Sequence, residues 1–214
     1  MIFKRSNDTR KIEFAPPLIN ETERRLASER VIHETQTIFS VPEVQDSIEL
    51  MQLTRLPNVL KRIYVPSVEE GVVASNSKQR YVPIVSMYPG ENLTIDSVKI
   101  NLDSNVSGFT TTKAPTVIGL NQIYSTQKSA PLTLIHEMTH VYQQENGVNR
   151  AAYERHPQLV ESAAETEAYN VEAVIARALL KCRNPKWSHA RELFNSRTEY
   201  IANQAPVFRT PFEF

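Results

Sequence analysis

The stretch PLTLIHEMTHVYQQENG, from Pro131 to Gly147, sets His136, Glu137 and His140 close together. Side chains four residues apart share one face of a helix, with Cβ atoms about 5–6 Å apart. Two imidazoles at that spacing can meet one Zn2+ at about 2.0–2.1 Å each. Glu137 is turned about 100° from His136 and is no natural third ligand. It is placed to act on a water held at the metal. Zinc lowers the pKa of such a water toward about 7, and a carboxylate takes its proton as the water attacks a carbonyl. This is the HExxH pattern of metalloproteases. Leu132, Leu134, Ile135, Met138 and Val141 embed the cluster in an apolar helix, where two histidines need polar partners.

A catalytic zinc needs a third protein ligand and keeps its fourth position for water. The longer pattern HExxHxxGxxH would place that ligand at position 146. Asn146 stands there, and Gln143 stands in place of the glycine, which closes that route. The other source is the later helix containing PQLVESAAETEAYNVEA. With Glu165 at zero, Glu161 falls about 40° and Glu172 about 20° to one side, and Glu167 falls about 160° away among Val160, Val171 and Val174. Glu161, Glu165 and Glu172 therefore share a face, with Ala164 and Ala168 small enough for a close approach to the zinc helix.

HEMTHVYQQ followed by ETEAY resembles the HExxH…E zincins, the gluzincin-type metallopeptidases. The likeness is greatest to bacterial domains of unknown function that carry an HE(L/M)xHVxQ helix and are associated with toxins and effectors. The resemblance spans roughly residues 115 to 175 and implies a zincin-like fold and peptide-bond hydrolysis. Its third ligand is a glutamate in an E-x-x-A pattern, which Glu165 fits through Ala168 and Tyr169. Glu161 with Ala164 also satisfies the short form. The resemblance implies one zinc held by His136, His140 and Glu165, with Glu137 as catalytic base. Many gluzincins carry Asp or Asn four residues after the ligand glutamate, but Tyr169 occupies that place here. The resemblance also implies that the segment TVIGLNQIY supplies an edge strand, on which a peptide or protein substrate pairs as an extended strand. A non-enzymatic binding or secretion-associated module with a structural zinc is the rival reading, and a toxin acting on cell-wall peptide is another.

The elements around the motif fall into three zones. Asn20 reads as the N-cap of a helix over 21–39, and Pro42 opens a second helix over VPEVQDSIELMQLTR. VLKRIYV (59–65), YVPIVSMY (81–88), LTIDSVKINL (93–102) and PTVIGLNQIY (115–124) read as strands of a small, mostly antiparallel sheet. Turn-formers at Pro89-Gly90 and Ser107-Gly108 separate them. Pro83 suggests an edge or a bulge. Pro131 and Gly147 bound the zinc helix, Pro157 opens the next helix, and Asn184-Pro185 caps a third that ends near Asn203. The order of helices, sheet and helices predicts an α+β fold. Residues 1–56 form an N-terminal helical region, either part of the same domain or a covering or docking arm, and 57–214 form the zincin-like domain.

The 214 residues can bury a core without disulfides or a structural metal. Lys plus Arg and Asp plus Glu are both 24, so charge gives no reason to expect nucleic acid or an anionic membrane as partner. The N-terminus MIFKRSNDTR lacks an apolar h-region, and no run approaches the 18 or so apolar residues that span a bilayer. The expectation is a protein that stays in the cytoplasm or leaves by a specialised secretion system. Cys182, the only cysteine, reads as a free thiol. His33 has no nearby His or Cys and reads as a solvated side chain. Tyr153, His156 and Tyr169 are the donors near the motif that could stabilise an oxyanion.

Overall fold

A computed structural model describes residues 20–66, 68–69, 72–73, 81–95, 98–102, 106–111, 116–125, 127–146 and 157–204. Helix α1 spans Glu21–Phe39, and Asn20 caps it by accepting a hydrogen bond from the Thr22 amide at 3.0 Å. Helix α2 (Pro42–Leu50) begins at its proline but ends sooner than the sequence suggests. Gln52 adopts a φ of 57°, which breaks the helix, and a separate short helix α3 (Leu56–Leu60) follows. Residues 59 and 60 are therefore helical rather than extended, and β1 is only Ile63–Tyr64.

The strands form two four-stranded sheets, ordered β1-β4-β8-β7 and β2-β3-β5-β6. In the first, β4 (Val82–Met87) lies between β1 and β8 (Ile118–Asn121) and is parallel to both, and β7 (Gly108–Thr110) closes one edge antiparallel to β8. In the second, β2 (Val68–Glu69) and β3 (Val72–Val73) are antiparallel, β3 is parallel to β5 (Asn92–Ile95), and β5 forms a hairpin with β6 (Val98–Asn101). The expected mostly antiparallel sheet is thus a mixed pair of sheets. Pro83 sits in an interior strand, yet its register partner is Tyr64 of β1, and pairing with β8 starts only at Ile84. The proline marks the point where β4 changes partner, so its missing N–H removes no bond to β8.

Alternation along the strands sends side chains into two separate cores. Val82, Ile84, Ile118 and Leu120 face the helices and share one apolar cluster with Val31, Ile38, Val44, Leu134, Ile135, Met138, Val171 and Ile175. Val85, Met87 and Val117 face the other way and pack on Leu93, Ile100 and Leu102, with Phe109 against them. Covered on both sides, β4 is buried along its whole length, which accounts for its continuous apolar run.

After β8 a short helix α4 (Gln122–Ser125) leads to α5 (Ala130–Asn146), the helix of the histidine motif. Helix α6 (Pro157–Lys181) follows, then a 3-10 turn (Pro185–Trp187) capped by Asn184, and α7 (Ala190–Gln204). Asn184 therefore caps the turn, and the last helix starts later than expected. Gly147 and Tyr153 and His156 lie outside the described residues. The architecture is α+β. Among the described residues, no helix is long and apolar enough to cross a membrane.

Candidate metal centre

Helix α5 is buried on most of its circumference, including His136 at 7% exposure and Glu137 at 4%. One side packs on α6 and carries both histidines toward it. Another side meets β7 and carries Glu137. Ala168 of α6 is fully buried and Ala164 half-buried, so no bulky side chain holds the two helices apart. Glu165 reaches across with Oε2 at 3.2 Å from His136 Nε2 and Oε1 at 3.2 Å from His140 Nε2. The two Nε2 atoms are 3.1 Å apart. His136, His140 and Glu165 form a group able to hold a metal ion, their ligating atoms lying within 4.8 Å of one another.

The hydrogen-bond network fixes the proton on His140 Nδ1. Gln143 has its amide nitrogen against two acceptors, the Ala164 carbonyl at 3.0 Å and Glu167 Oε2 at 2.8 Å. Its oxygen is therefore the atom that faces His140 Nδ1 at 2.9 Å, and Nδ1 is the donor. That leaves the lone pair on His140 Nε2. On His136, Nδ1 is buried, has no hydrogen-bond partner and faces Glu172 Oε1 at 3.7 Å, while Nε2 faces Glu165 Oε2 at 3.2 Å. Two imidazole nitrogens and a carboxylate converge here, and a proton or a cation must join them. Tetrahedral ligands at about 2.05 Å are about 3.3 Å apart; the two Nε2 atoms, 3.1 Å apart, match that edge, and each faces a different oxygen of Glu165 at 3.2 Å. The donor set fits a zinc-type ion.

Protons also join these groups. Burial opposes charge on His140, but its contacts with Glu165 and the field of Glu137 outweigh it and raise the imidazole above its ordinary value. Burial likewise opposes charge on Glu165, yet hydrogen bonds from His136 and His140 hold it well below the usual carboxylate range. Glu137 is pushed up, because burial outweighs both histidines and the hydrogen bond from Thr110. Thr110 Oγ1 lies 2.9 Å from Glu137 Oε2 and 3.0 Å from the Glu137 carbonyl oxygen. Gly108 leaves the room for that carboxylate: a Cβ there would stand 3.1 Å from Glu137 Oε1 and 3.0 Å from Thr133 Cγ2.

Behind His136 lies a second charged layer. Arg197 of α7 bonds Glu172 through Nε and lies over the Tyr169 ring at 4.6 Å. Glu172 is 1% exposed, and its burial raises its pKa despite His136 and Arg197. Tyr169 packs on His136 with ring centroids 4.6 Å apart and on Tyr200 at 4.3 Å. Glu172 stands two turns along α6 from Glu165, with its Oε1 3.7 Å from His136 Nδ1.

Several sequence expectations change here. Of the three glutamates that share a face, Glu165 meets the histidine Nε2 atoms, Glu172 backs His136, and the Glu161 side chain lies outside the described residues. Glu167 is not excluded from the site as its position on the helix suggested; it holds Gln143. The segment TVIGLNQIY supplies an interior strand over Ile118–Asn121, buried along its length, and among the described residues the sheet edge beside the motif is β7. Sequence reasoning passed over Thr110, Gly108 and Arg197; Gln143, three residues beyond His140, had a usable signal in that spacing alone. His33 is exposed, as expected. Comparison of the chain with protein-family models, with curated proteins and with solved structures finds no match.

Proposed function

We propose that this chain is a zincin-like metallopeptidase of the HExxH…E type, binding one zinc through His136, His140 and Glu165. The observation that supports it is the convergence of two imidazole Nε2 atoms, 3.1 Å apart, on the two carboxylate oxygens of Glu165, one residue from a buried carboxylate. Zinc at that point supplies a Lewis acid that polarises a carbonyl and lowers the pKa of water toward about 7.

The side chains divide the remaining work. Glu137 accepts the proton of the attacking water and can return it to the leaving amine. Its burial raises its proton affinity above that of an ordinary glutamate, the direction a general base near neutral pH needs. Thr110 fixes one carboxylate oxygen, so Glu137 keeps its orientation when its charge changes. In β7 the register opposite β8 turns the N–H and C=O groups of Gly108 and Thr110 away from the sheet. An extended peptide pairing there would run beside Glu137. The resemblance to toxin- and effector-associated domains favours a bacterial effector or toxin as the setting.

Elemental analysis of the purified chain tests this directly, with about one zinc per chain as the expected result. Glu137→Gln should keep that zinc and lose hydrolysis of a mixed peptide library. A wild type free of zinc overturns the reading. Zinc retained without hydrolysis by the wild type moves it to a non-enzymatic module.

A further inference from the structure

Gln143 makes three contacts with one amide, and each goes to a different part of the metal centre. Its Oε1 accepts from His140 Nδ1 at 2.9 Å. Its Nε2 donates to the carbonyl oxygen of Ala164 at 3.0 Å and to Glu167 Oε2 at 2.8 Å. Ala164 directly precedes Glu165 in the chain, so the same side chain grips one ligand of α5 and the backbone beside the ligand of α6. Gln143 is 6% exposed, and its oxygen and both amide hydrogens are engaged.

From this geometry we infer that Gln143 is the positioning residue of the metal site, a strut that sets the distance between the two ligand-bearing helices and fixes the tautomer of His140. The inference rests on the metal-site reading and adds to it. A glutamine is required because the strut must accept at one end and donate twice at the other. A carboxylate could accept from His140 but has no hydrogen for Ala164 and would face Glu167 with like charge. Leucine keeps the approximate shape and makes none of the three bonds. Without the strut, His140 can turn or take the other tautomer, and the turn carrying Glu165 can shift relative to α5. Both changes weaken metal binding, and groups that orient metal-ligating histidines typically contribute about 10–100-fold in metal affinity.

Zn2+ titration of the metal-stripped full chain against a chromophoric chelator tests the strut without needing a substrate. Gln143→Leu should bind zinc about 10–100-fold more weakly while remaining cooperatively folded without metal. Gln143→Glu should also bind weakly, and the double variant Gln143→Glu with Glu167→Gln should recover part of the loss, since the bond to the Ala164 carbonyl stays unmade. It restores a donor–acceptor pair with the direction reversed. The Co2+ absorption spectrum of each variant reports whether the tetrahedral environment is kept. Wild-type affinity in both Gln143→Leu and Gln143→Glu, with the wild type binding zinc tightly, overturns the strut alone. A loss in Gln143→Glu that the double variant does not repair also counts against it. A wild type that holds no zinc overturns the metal-site reading itself. If Gln143→Leu does not fold, the comparison between Gln143→Glu and the double variant decides.

Discussion

Gly108 of β7 faces Glu137 of α5 so closely that a single added methyl group would contact the carboxylate, at 3.1 Å from Oε1 and 3.2 Å from Cγ. Those separations are shorter than ordinary van der Waals contact, so Glu137 or the strand must move. His136, His140 and Glu165 meet one another on the α6 side of α5 and are not in the way. Gly108→Ala should keep the bound zinc and lower hydrolysis at least tenfold. Thr110→Val removes the donor to Glu137 Oε2 at nearly constant shape. A hydrogen bond to a charged group contributes about 1.5–3 kcal/mol, so a comparable fall of about tenfold or more is expected. Peptide-hydrolysis rates measured beside zinc content check both, and unchanged rates in both variants would refute the assignment of Glu137.

The protonation of the centre predicts how zinc stabilises the chain as pH changes. His140 is raised, so its pairing with Glu165 stabilises the metal-free fold below the ordinary histidine value of about 6.5 and is lost as pH rises. Glu165 is lowered, so its share is present above the ordinary value of about 4.3 and lost in acid. Glu137 and Glu172 are both raised by burial, and each costs stability as pH climbs past that value. The metal-free chain should therefore weaken as pH rises past about 6.5. Zinc requires unprotonated imidazoles and competes best at the upper end. Melting temperatures with zinc and with a chelator should differ more at pH 7.5 than at pH 5.5. A difference independent of pH would contradict this protonation scheme.

What could be read from the sequence was what repeats along a single element. The 100° period places His136 and His140 together and puts Glu165 on the near border of α6. Proline and asparagine mark the starts of α1, α2 and α6. What depends on another element was not legible. β7 is three residues long and opens with glycine, so locally it resembles a turn; it becomes a strand because β8 supplies its hydrogen bonds. Nothing local makes the run from 118 to 121 an interior strand rather than an edge. Choosing Glu165 over Glu161 needs the depth at which α6 crosses α5, since both lie on the same face. Arg197 is one arginine on an exposed-looking helix until α7 packs beside Glu172.

Arg197 and Glu172 allow stability and metal affinity to be separated. Glu172 is 1% exposed, and Arg197, its side chain 24% exposed, is the cation bonded to it. Removing one member of a buried pair leaves an uncompensated charge and typically costs about 3–5 kcal/mol. Because Arg197 is partly solvated, Arg197→Met should cost about 3 kcal/mol, the lower end of that range, in urea unfolding. Replacing both partners by apolar residues is often neutral, so Glu172→Met with Arg197→Leu should regain most of that loss. His136 Nδ1 would then face no carboxylate. Zinc affinity of the double variant should stay about tenfold or more below wild type, even with stability restored. Recovery of both properties together would mean that Glu172 supports the helix packing and has no hold on His136.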